Sequence, residues 1–354
     1  MSTEQTESGM GGGLRGMRRK AVQATELVNV GFLPGREEKF PIVITPAVDG
    51  VDLAMWCESH RDQLDGYYDR YGAILFRGFD LESPDDFDKV ASSITPDLFA
   101  EYGDLPPESA TQRIYGVTPY PPDKMILFHN ESSHLPKWPM RQFFFCIVPS
   151  ESGGTTPLLD CREVIDALDA VDPEIVRQFE ERGLLYVRNF SEGVDVPWQT
   201  FFRTDDRAEV ERQVEEQGMT CEWTDSGLRV NQPSEGVRRH ARTGERLFFN
   251  QVQLHHVSCL DEETRTALSQ LFADEDMPRN VFFGDGSPIP DEMVDKISEV
   301  YEQVCVEFPW QPHDLVALDN MLISHARRPY GGERRILVAM GAMVSATDPA
   351  VARA

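Results

Sequence analysis

Two short segments, far apart in the chain, together carry the ligand set of a mononuclear metal site. His129 and Glu131 lie in the first segment, and His325 lies in the second. Residues i and i+2 of an extended segment point to the same face, so His129 and Glu131 can reach one ion while a distant strand supplies His325. Two histidines and one carboxylate on one side of an ion leave the other coordination positions open, an arrangement typical of iron(II) oxygenases. The fold must therefore bring the two segments together.

The residues that follow His325 predict a strand, a turn and a second strand. The stretch 326–335 contains a proline and two glycines, and the apolar run 336–340 comes directly after it. An arginine that enters the second strand lies near the metal ligand of the first, and its guanidinium suits bidentate binding of a carboxylate. Arg334 and Arg335 are the candidates, and because adjacent residues of a strand point to opposite faces, only one can serve. A co-substrate with a terminal carboxylate is therefore expected.

Several further motifs accompany these segments in the order found in a known family. They are Gly72–Phe79, Trp138–Pro139, Phe143–Cys146, Gly153–Asp160 and Phe249–Gln251. On these residues the chain resembles the iron(II)/2-oxoglutarate-dependent oxygenases of the taurine dioxygenase and clavaminate synthase (TauD/TfdA) superfamily, and within it the SyrP-like group of peptide natural-product pathways. The resemblance runs from about Gly31 to Met343.

The resemblance implies a role for each ligand candidate. His129, Glu131 and His325 would bind Fe(II), and 2-oxoglutarate would chelate the iron through its 1-carboxylate and 2-oxo group, with O₂ as the oxidant. Glu131 also separates this chain from the related halogenases, in which a small residue replaces the carboxylate so that chloride can bind the iron. Halogenation is therefore not expected.

The resemblance also implies residues for the far carboxylate of 2-oxoglutarate. Thr156 matches a position whose hydroxyl helps to bind this carboxylate, although a residue before a proline can also serve simply as part of a turn. The spacing in taurine dioxygenase favours Arg335 as the carboxylate-binding arginine, whereas the usual form of the SyrP-like group favours Arg334. The second arginine of taurine dioxygenase falls here on Val338 or Ala339, so a taurine-like sulfonate substrate is not expected.

By this resemblance the expected reaction is hydroxylation of an unactivated C–H bond in an amino acid or related small carboxylate, free or tethered to a carrier protein, in natural-product biosynthesis. Desaturation or another oxidative rearrangement would use the same iron site. Two alternatives come from other classes. A cupin-like binding module without turnover would need neither the arginine nor Thr156, and a metal-dependent hydrolase would hold zinc and activate water without O₂.

Three other histidines are weaker ligand candidates. His134 follows His129 by five positions, which does not fit the zinc-protease pattern of two histidines four apart on one helix. His255 and His256 could form a second metal site or a base that faces the substrate, but adjacent residues of a strand point opposite ways. We expect both to have packing roles.

Composition narrows the possible partners and the cellular compartment. The formal net charge of −26, from 60 acidic and 34 basic residues, argues against nucleic acid and against anionic membrane surfaces as partners. No apolar run approaches the ~20 residues that a membrane-spanning helix needs. The six cysteines include no C-x-x-C pair, which indicates reduced thiols and a cytoplasmic location.

The expected fold class is α+β, with a double-stranded β-helix (a distorted jelly roll) as core and helices around it. With 40% hydrophobic residues, the chain of 354 residues can bury a sizeable core. We expect one oxygenase domain over 26–346, with a helical insert around 161–217, between a mobile tail at 1–25 and a short tail at 347–354.

Hydrophobic periodicity predicts several of the elements. Helices are expected over 53–71, 162–182, 205–216, 261–273 and 290–304, and a strand over 73–76. An aromatic loop is expected over 188–202, inside the insert, where long connections often build the wall of a pocket.

Overall fold

A computed structural model of the chain describes residues 27–36, 39–100, 108, 111–117, 119–191, 193, 196–225 and 227–347. The tail expected at 1–25, and all of the tail expected at 347–354 except Thr347, lie outside the described residues.

The described helices surround the strands and alternate with them along the chain. They are α1 (Leu53–Ser59), α2 (Arg61–Tyr71), α3 (Pro84–Ile94), α4 (Cys161–Val171), α5 (Pro173–Arg182), α6 (Trp198–Phe202), α7 (Arg207–Glu216), α8 (Val252–His255), α9 (Glu262–Ser269) and α10 (Asp291–Val304). Two short 3₁₀ helices cover Val257–Cys259 and Asp274–Asp276. Among these described helices, none is both long enough and apolar enough to cross a lipid bilayer.

The described strands are more numerous and mostly short. They are β1 (Val28–Phe32), β2 (Ile42–Pro46), β3 (Ala73–Phe76), β4 (Tyr115–Gly116), β5 (Ile126–His129), β6 (Lys137–Val148), β7 (Ser152–Gly153), β8 (Leu158–Asp160), β9 (Leu184–Ser191), β10 (Thr220–Thr224), β11 (Gly227–Ser234), β12 (Arg238–Arg239), β13 (Arg246–Leu247), β14 (Arg279–Phe283), β15 (Leu315–Asp319), β16 (Ile323–Arg327), β17 (Tyr330–Gly331) and β18 (Arg335–Ser345).

Acidic and hydroxyl side chains fix where many helices begin. The carboxylate of Asp52 accepts from Met55 N at the start of α1, and that of Asp160 accepts from Arg162 N at the start of α4. Each of these bonds satisfies a backbone N–H that has no partner inside the helix. The predicted helix 162–182 is wrong in its continuity, because Asp172 caps a second helix that begins at Pro173.

The predicted helix 53–71 is also two helices rather than one. His60 lies between α1 and α2 with φ −124° and ψ 28°, outside the helical region. Its Nδ1–H donates to Trp56 O at 2.7 Å and so satisfies a carbonyl at the end of α1. The strand predicted over 73–76 is confirmed as β3, and all four of its residues are buried.

The largest sheet has seven strands in the order β1-β2-β3-β15-β6-β18-β4. Its neighbours are antiparallel except for the parallel pair β2 and β3. The long strands β6 and β18 lie side by side in this sheet, and their apolar residues are buried on both faces. Sheets covered on both faces read as nearly continuous apolar runs, which is why these strands show little alternation.

A separate three-stranded sheet has the order β5-β16-β8 and carries both candidate histidine ligands. It contacts the large sheet, since the ring of Phe144 on β6 lies 5.0 Å from the ring of His325 on β16. The main hydrophobic core extends over both sheets and helices α1 to α5, α8 and α10. The candidate site therefore lies against the buried side of the large sheet.

A four-stranded sheet has the order β10-β11-β9-β14, and of its strands only β9 lies within the insert expected around 161–217. Phe190 and Leu228 of this sheet pack with Phe202 and Val210 of the nearby helices in a second, smaller core. The aromatic loop expected over 188–202 is wrong at both ends, because β9 runs to Ser191 and α6 occupies Trp198–Phe202. Aromatic residues favour strands as well as loops, and here β9 pairs on both sides, with β11 and β14.

Candidate metal centre and co-substrate site

The two candidate histidine ligands are directly opposite each other on adjacent antiparallel strands. His325 of β16 pairs in register with His129 of β5. Directly opposed residues of an antiparallel pair place their side chains on the same face, a few ångströms apart. The two imidazole rings accordingly lie 4.3 Å apart, centroid to centroid. Strand pairing alone thus brings together two residues that are far apart in the chain.

Glu131 lies just beyond the end of β5 and is positioned by a buried amide. The Glu131 N–H donates to Asn320 Oδ1 at 2.7 Å, and the Glu131 carbonyl accepts from Asn320 Nδ2 at 2.9 Å. Asn320 Nδ2 also donates to Pro139 O at 2.9 Å, and the Asn320 carbonyl accepts from Asn130 Nδ2 at 2.6 Å. Gln251 Nε2 donates to Asn130 O at 2.8 Å. These bonds fix the backbone that carries the carboxylate.

One ligand atom from each of His129, Glu131 and His325 lies within 4.8 Å of the others, and among the described residues no further group of three such side chains has this spacing. The His129 Nδ1–H donates to Leu127 O at 2.8 Å, which leaves Nε2 as a lone-pair donor. Burial, and then the nearby His129, lower the pKa of His325 well below its usual value, so its imidazole is neutral. Two neutral imidazoles and a carboxylate on one face are a donor set that fits a divalent iron ion.

The turn before His325 is anchored by a buried ionic cluster. Asp319 Oδ1 accepts from the backbone N–H groups of Met321 and Leu322 at 3.0 and 3.3 Å. Its Oδ2 accepts from Arg141 Nη1 at 2.5 Å and lies 3.3 Å from His240 Nε2. Burial by itself would raise the pKa of Asp319, but Arg141 and His240 outweigh it and lower that pKa to about 2. This cluster holds the connection between β15 and β16.

Arg334 lies inside the protein, beside Thr156. Arg334 Nε donates to Gly154 O at 2.9 Å, and its Nη2 donates to Thr156 Oγ1 at 3.3 Å. Trp310 Nε1 donates to the same Thr156 oxygen at 3.1 Å. Because Thr156 Oγ1 accepts both bonds, its own hydroxyl proton is free to be donated to a carboxylate. Arg334 and Thr156 thus present adjacent donors.

Arg335 points away from Arg334, as expected for neighbours at the start of a strand. Its side chain is 46% exposed and pairs with Glu108. Strand β7, which contains Gly153 and leads to Thr156, pairs with β17, which precedes Arg334. The two backbones lie close together at Gly153. A Cβ on Gly153, where φ is +66°, would lie 2.3 Å from Pro329 O. Only glycine accommodates both this conformation and this contact.

His134 and His255 lie in an aromatic cluster with Tyr186, outside the ligand set. The rings of His134 and His255 lie 5.0 Å apart, and Tyr186 packs against both at 5.6 and 4.9 Å. The strand argument for His255 and His256 is wrong in its premise, because α8 ends at His255. His255 Nδ1–H donates to Gln251 O at 3.2 Å. The His256 ring lies apart from this cluster, with Nδ1 2.7 Å from Ser258 Oγ and Nε2–H donating to Ile289 O at 3.1 Å.

Three buried residues of the site were not singled out from the sequence: Asn320, Asp319 and Arg141. Their hydrogen bonds join segments between 178 and 190 positions apart. The one local signal is the Asp-Asn pair between two apolar runs, which indicates a turn but not its partners.

Comparison with known proteins gives the family. The family model described as "Taurine catabolism dioxygenase TauD, TfdA family" matches residues 38–340. Dapdiamide synthesis protein DdaC of Enterobacter agglomerans is 35% identical over 271 residues, covering 76% of this chain and 82% of that protein. A clavaminate synthase-like protein of Arabidopsis thaliana is 30% identical over 318 residues, covering 85% of this chain and 93% of that protein.

Solved structures share the fold at low sequence identity. PvcB of Pseudomonas aeruginosa superposes with a TM-score of 0.53 and 14% identity, covering 90% of this chain and 93% of PvcB. A taurine dioxygenase from Burkholderia xenovorans gives a TM-score of 0.51 and 14% identity, with 89% of each chain covered. The chain therefore belongs to the TauD/TfdA family, whose enzymes are iron(II)- and 2-oxoglutarate-dependent dioxygenases.

Proposed function

We propose that this enzyme hydroxylates an unactivated C–H bond of an amino acid or related small carboxylate, free or bound to a carrier protein. The observation that carries the proposal is the spacing of His129, Glu131 and His325, whose ligand atoms lie within 4.8 Å of one another. These three residues would hold Fe(II) and leave coordination positions for 2-oxoglutarate and O₂. The bound iron and 2-oxoglutarate would use O₂ to oxidise the substrate, with release of succinate and carbon dioxide.

The protein's own groups account for binding of the co-substrate. Arg334 offers a guanidinium to the distal carboxylate of 2-oxoglutarate, and the Thr156 hydroxyl offers a second donor beside it. A charge-assisted hydrogen bond of this kind is shorter and stronger than a neutral one. Trp310 orients the hydroxyl by donating to its oxygen. The exposure of Arg335 and its pairing with Glu108 support the choice of Arg334 for this role.

The surroundings of His325 are drier than those of His129 and Glu131, which are half-buried. His325 is 5% exposed, and Phe144 covers one side of its ring. Phe128, next to His129, is fully buried against Tyr301. A site without free water protects a strong oxidant from side reactions and strengthens every electrostatic contact within it. The C–H bond of a bound substrate would then be the nearest oxidisable group.

The relatives support a biosynthetic setting. DdaC is described as a protein of dapdiamide synthesis, and PvcB is described as an Fe, alpha-ketoglutarate dependent oxygenase from an isonitrile synthetic pathway. We infer a similar role in natural-product biosynthesis for this chain. The six cysteines, all free thiols, agree with the reducing cytoplasm in which we expect it to work.

We further infer that the β-sheets together form a distorted jelly roll within one oxygenase domain. The seven-stranded sheet and the three-stranded sheet that contacts it through Phe144 and His325 support this assignment. Helices pack around both sheets, in keeping with the α+β class.

Purified protein, Fe(II) and 2-oxoglutarate should be incubated with each member of an amino-acid panel while succinate is measured. We expect one or a few amino acids to stimulate succinate formation and to gain one oxygen atom from labelled O₂. A product that lacks the label and has lost two hydrogens would indicate desaturation. Turnover that continues without O₂ would indicate a hydrolase, and binding without any succinate would indicate a cupin-like module.

A further inference from the structure

A second arginine lies on the same strand as the candidate ligand His325. Arg327 follows it by two positions on β16, so both side chains leave the strand on the same face. Two steps along a strand span about 6.6 Å, so the backbone of Arg327 lies near that of His325. The Arg327 side chain is nonetheless only 6% exposed. A buried cation this close to a charged site requires an explanation.

The hydrogen bonds of Arg327 go to backbone carbonyls and not to carboxylates. Nη1 donates to Tyr120 O at 3.1 Å, and Nη2 donates to Pro121 O at 2.6 Å and to Lys124 O at 2.5 Å. Its Nε is buried and has no hydrogen-bond partner among the described residues. Arg327 therefore pins the segment 120–124 while its charge stays uncompensated by any described carboxylate.

The neighbouring Arg328 shows the contrasting case. Its guanidinium donates to Glu302 and to Glu307 on the outer side of the sheet, and these two carboxylates neutralise it. Adjacent strand residues point to opposite faces, so the same stretch of chain places one paired arginine outside and one unpaired arginine inside. The absence of an acidic partner for Arg327 is thus not a general feature of this strand.

Arg327 and Arg334 form a pair of cations around one aromatic ring. The guanidinium carbons of Arg327 and Arg334 lie 5.1 and 5.6 Å from the centre of the Tyr330 ring. Burial, and then the charge of Arg327, lower the pKa of Arg334 to about 10. Within the described part of the chain, neither arginine forms an ion pair with a carboxylate. Two such cations, Arg327 buried and Arg334 half-buried, favour anionic ligands.

An open surface cavity of about 480 Å³ lies beside Arg327. Its lining residues are Val117, Pro119, Tyr120, Pro121, Arg327 and Tyr330. The lining is mainly apolar and aromatic, with a single charged side chain. Such a combination suits a small ligand that carries one charge on an otherwise apolar or neutral body.

Charge balance indicates what the cavity should receive. Iron(II) held by Glu131 and two imidazole ligands would carry one net positive charge, and Arg327 and Arg334 add two more. The dianion 2-oxoglutarate would compensate two of these three charges, one at the iron and one at Arg334. One positive charge, that of Arg327, would then remain.

We propose that the cavity binds a carboxylate group of the primary substrate, with Arg327 as its counter-ion. This inference rests on the proposed function, because it assumes that Arg334 already serves 2-oxoglutarate. It narrows the substrate class to molecules that retain a free carboxylate near the oxidised carbon. A substrate attached through its only carboxylate to a carrier protein would not satisfy Arg327.

Acetate is the probe that tests this site, with acetamide as its neutral isostere. The protein is loaded anaerobically with Mn(II) and 2-oxoglutarate, and Mn(II)-induced relaxation of the probe's methyl protons is followed by NMR. We expect saturable relaxation of acetate in the wild-type complex and at least tenfold weaker binding of acetamide. Arg327→Gln should weaken acetate binding about ten- to a hundredfold, as expected for a lost charge-assisted contact.

Arg328→Gln is the matched control, since it removes a paired charge from the adjacent residue and should leave acetate binding unchanged. The thermal unfolding midpoint and the 2-oxoglutarate affinity of each variant show whether it remains folded. Equal binding of acetate and acetamide by the wild-type complex, or equal acetate binding by wild type and a folded Arg327→Gln, would overturn the inference. If Arg327→Gln does not fold, the comparison of acetate with acetamide in the wild-type complex still tests whether the cavity prefers a carboxylate. Failure of wild type to bind 2-oxoglutarate would instead contradict the proposed function.

Discussion

Two of the three candidate ligand residues, His129 and Glu131, are held in place by groups that lie outside the ligand set, whereas the buried Nδ1 of His325 has no hydrogen-bond partner among the described residues. The Leu127 carbonyl accepts from Nδ1 of His129 and so selects the tautomer with a free Nε2. The amide of Asn320 binds both backbone groups of Glu131. Such supporting contacts orient the ligands before the metal arrives and contribute to metal affinity. At this scale, function depends on residues that never contact the ion.

His129→Ala, Glu131→Ala or His325→Ala should each abolish turnover, because each variant removes one of three iron ligands. Iron stoichiometry after anaerobic reconstitution measures this directly. His134→Ala is the control, since His134 packs against His255 and Tyr186 outside the ligand set, and it should retain iron. Full iron occupancy with normal activity in Glu131→Ala would contradict the assignment.

Arg334→Gln should raise the concentration of 2-oxoglutarate needed for half-saturation, because it removes the buried donor beside Thr156. The expected loss is about 1.5–3 kcal/mol of binding free energy. Anaerobic calorimetry with Mn(II) in place of iron measures this affinity. Arg335→Gln is the matched variant, and its exposed pairing with Glu108 predicts little effect. Similar small effects of both substitutions would place the carboxylate anchor elsewhere.

At the scale of elements, the turn between β15 and β16 is the best-anchored part of the site. Asp319 joins the backbone of this turn to Arg141 on β6, and the guanidinium of Arg141 lies 4.1 Å from the ring of Tyr68. The turn therefore connects the large sheet to the sheet that bears His325. A substitution in this turn would therefore displace His325 while leaving all three candidate metal ligands unchanged in sequence.

Asp319→Asn should lower the free energy of unfolding near neutral pH by about 3 kcal/mol, because it leaves buried Arg141 with only the more distant, half-exposed Asp65 as a carboxylate partner. The pKa of Asp319 is about 2 in the folded protein, below the ordinary value of 3.8, so the ionised carboxylate stabilises the fold above pH 4. This contribution is lost as the pH falls from about 4 to about 2. Urea unfolding at a series of pH values should show the gap between wild type and variant narrowing over that window.

Asp276→Asn provides the comparison, since it removes a carboxylate from an exposed pair with Arg229. Exposed pairs contribute roughly 0–1 kcal/mol, so this variant should unfold nearly as wild type does. A gap for Asp319→Asn that stays constant from pH 7 to pH 2 would show that the ionised form of Asp319 is not what stabilises the turn.

Local sequence patterns predicted where helices and strands occur better than they predicted the residues at which these elements begin and end. The strand at 73–76 and the helix regions at 205–216 and 290–304 follow from periodicity. The break before Pro173 was visible as an aspartate followed by proline, a common helix start. The break at His60 had no such signal, because it depends on an imidazole that bonds back to the helix it ends.

The candidate site shows the same limit more clearly. The types and spacing of His129, Glu131 and His325 indicated a metal centre, since metal ligation depends on which side chains are present. The choice between Arg334 and Arg335 needed the structure, because it depends on where the first paired residue of β18 falls. Asn320 could not be identified, since its bonds to Glu131 cross 189 positions.

At the scale of the whole molecule, a strongly acidic protein brings together two arginines that have no described carboxylate partner. The chain carries a formal charge of −26, yet buried Arg327 and half-buried Arg334 lie at the same Tyr330 ring. Two like charges this close together destabilise the ligand-free protein. Binding of Mn(II), used in place of iron, and of the dianion 2-oxoglutarate should therefore stabilise the whole fold.

Mn(II) with 2-oxoglutarate should raise the thermal unfolding midpoint above that of the ligand-free protein. At a 2-oxoglutarate concentration of 100 times its dissociation constant, linkage predicts about 2.7 kcal/mol of added stability. Scanning calorimetry under anaerobic conditions measures the shift. Arg334→Gln should lose the 2-oxoglutarate increment but keep the Mn(II) increment. An unchanged midpoint in wild type would mean that neither ligand prefers the folded state.

Because His129 and His325 are directly opposite each other, iron binding depends on the native alignment of β5 and β16. A slip of one residue between β5 and β16 would turn His325 to the other face and leave His129 facing an alanine or a serine. No mispaired form of these strands could then bind iron tightly. Metal affinity thus reports on correct strand pairing, and iron binding would stabilise only the native alignment.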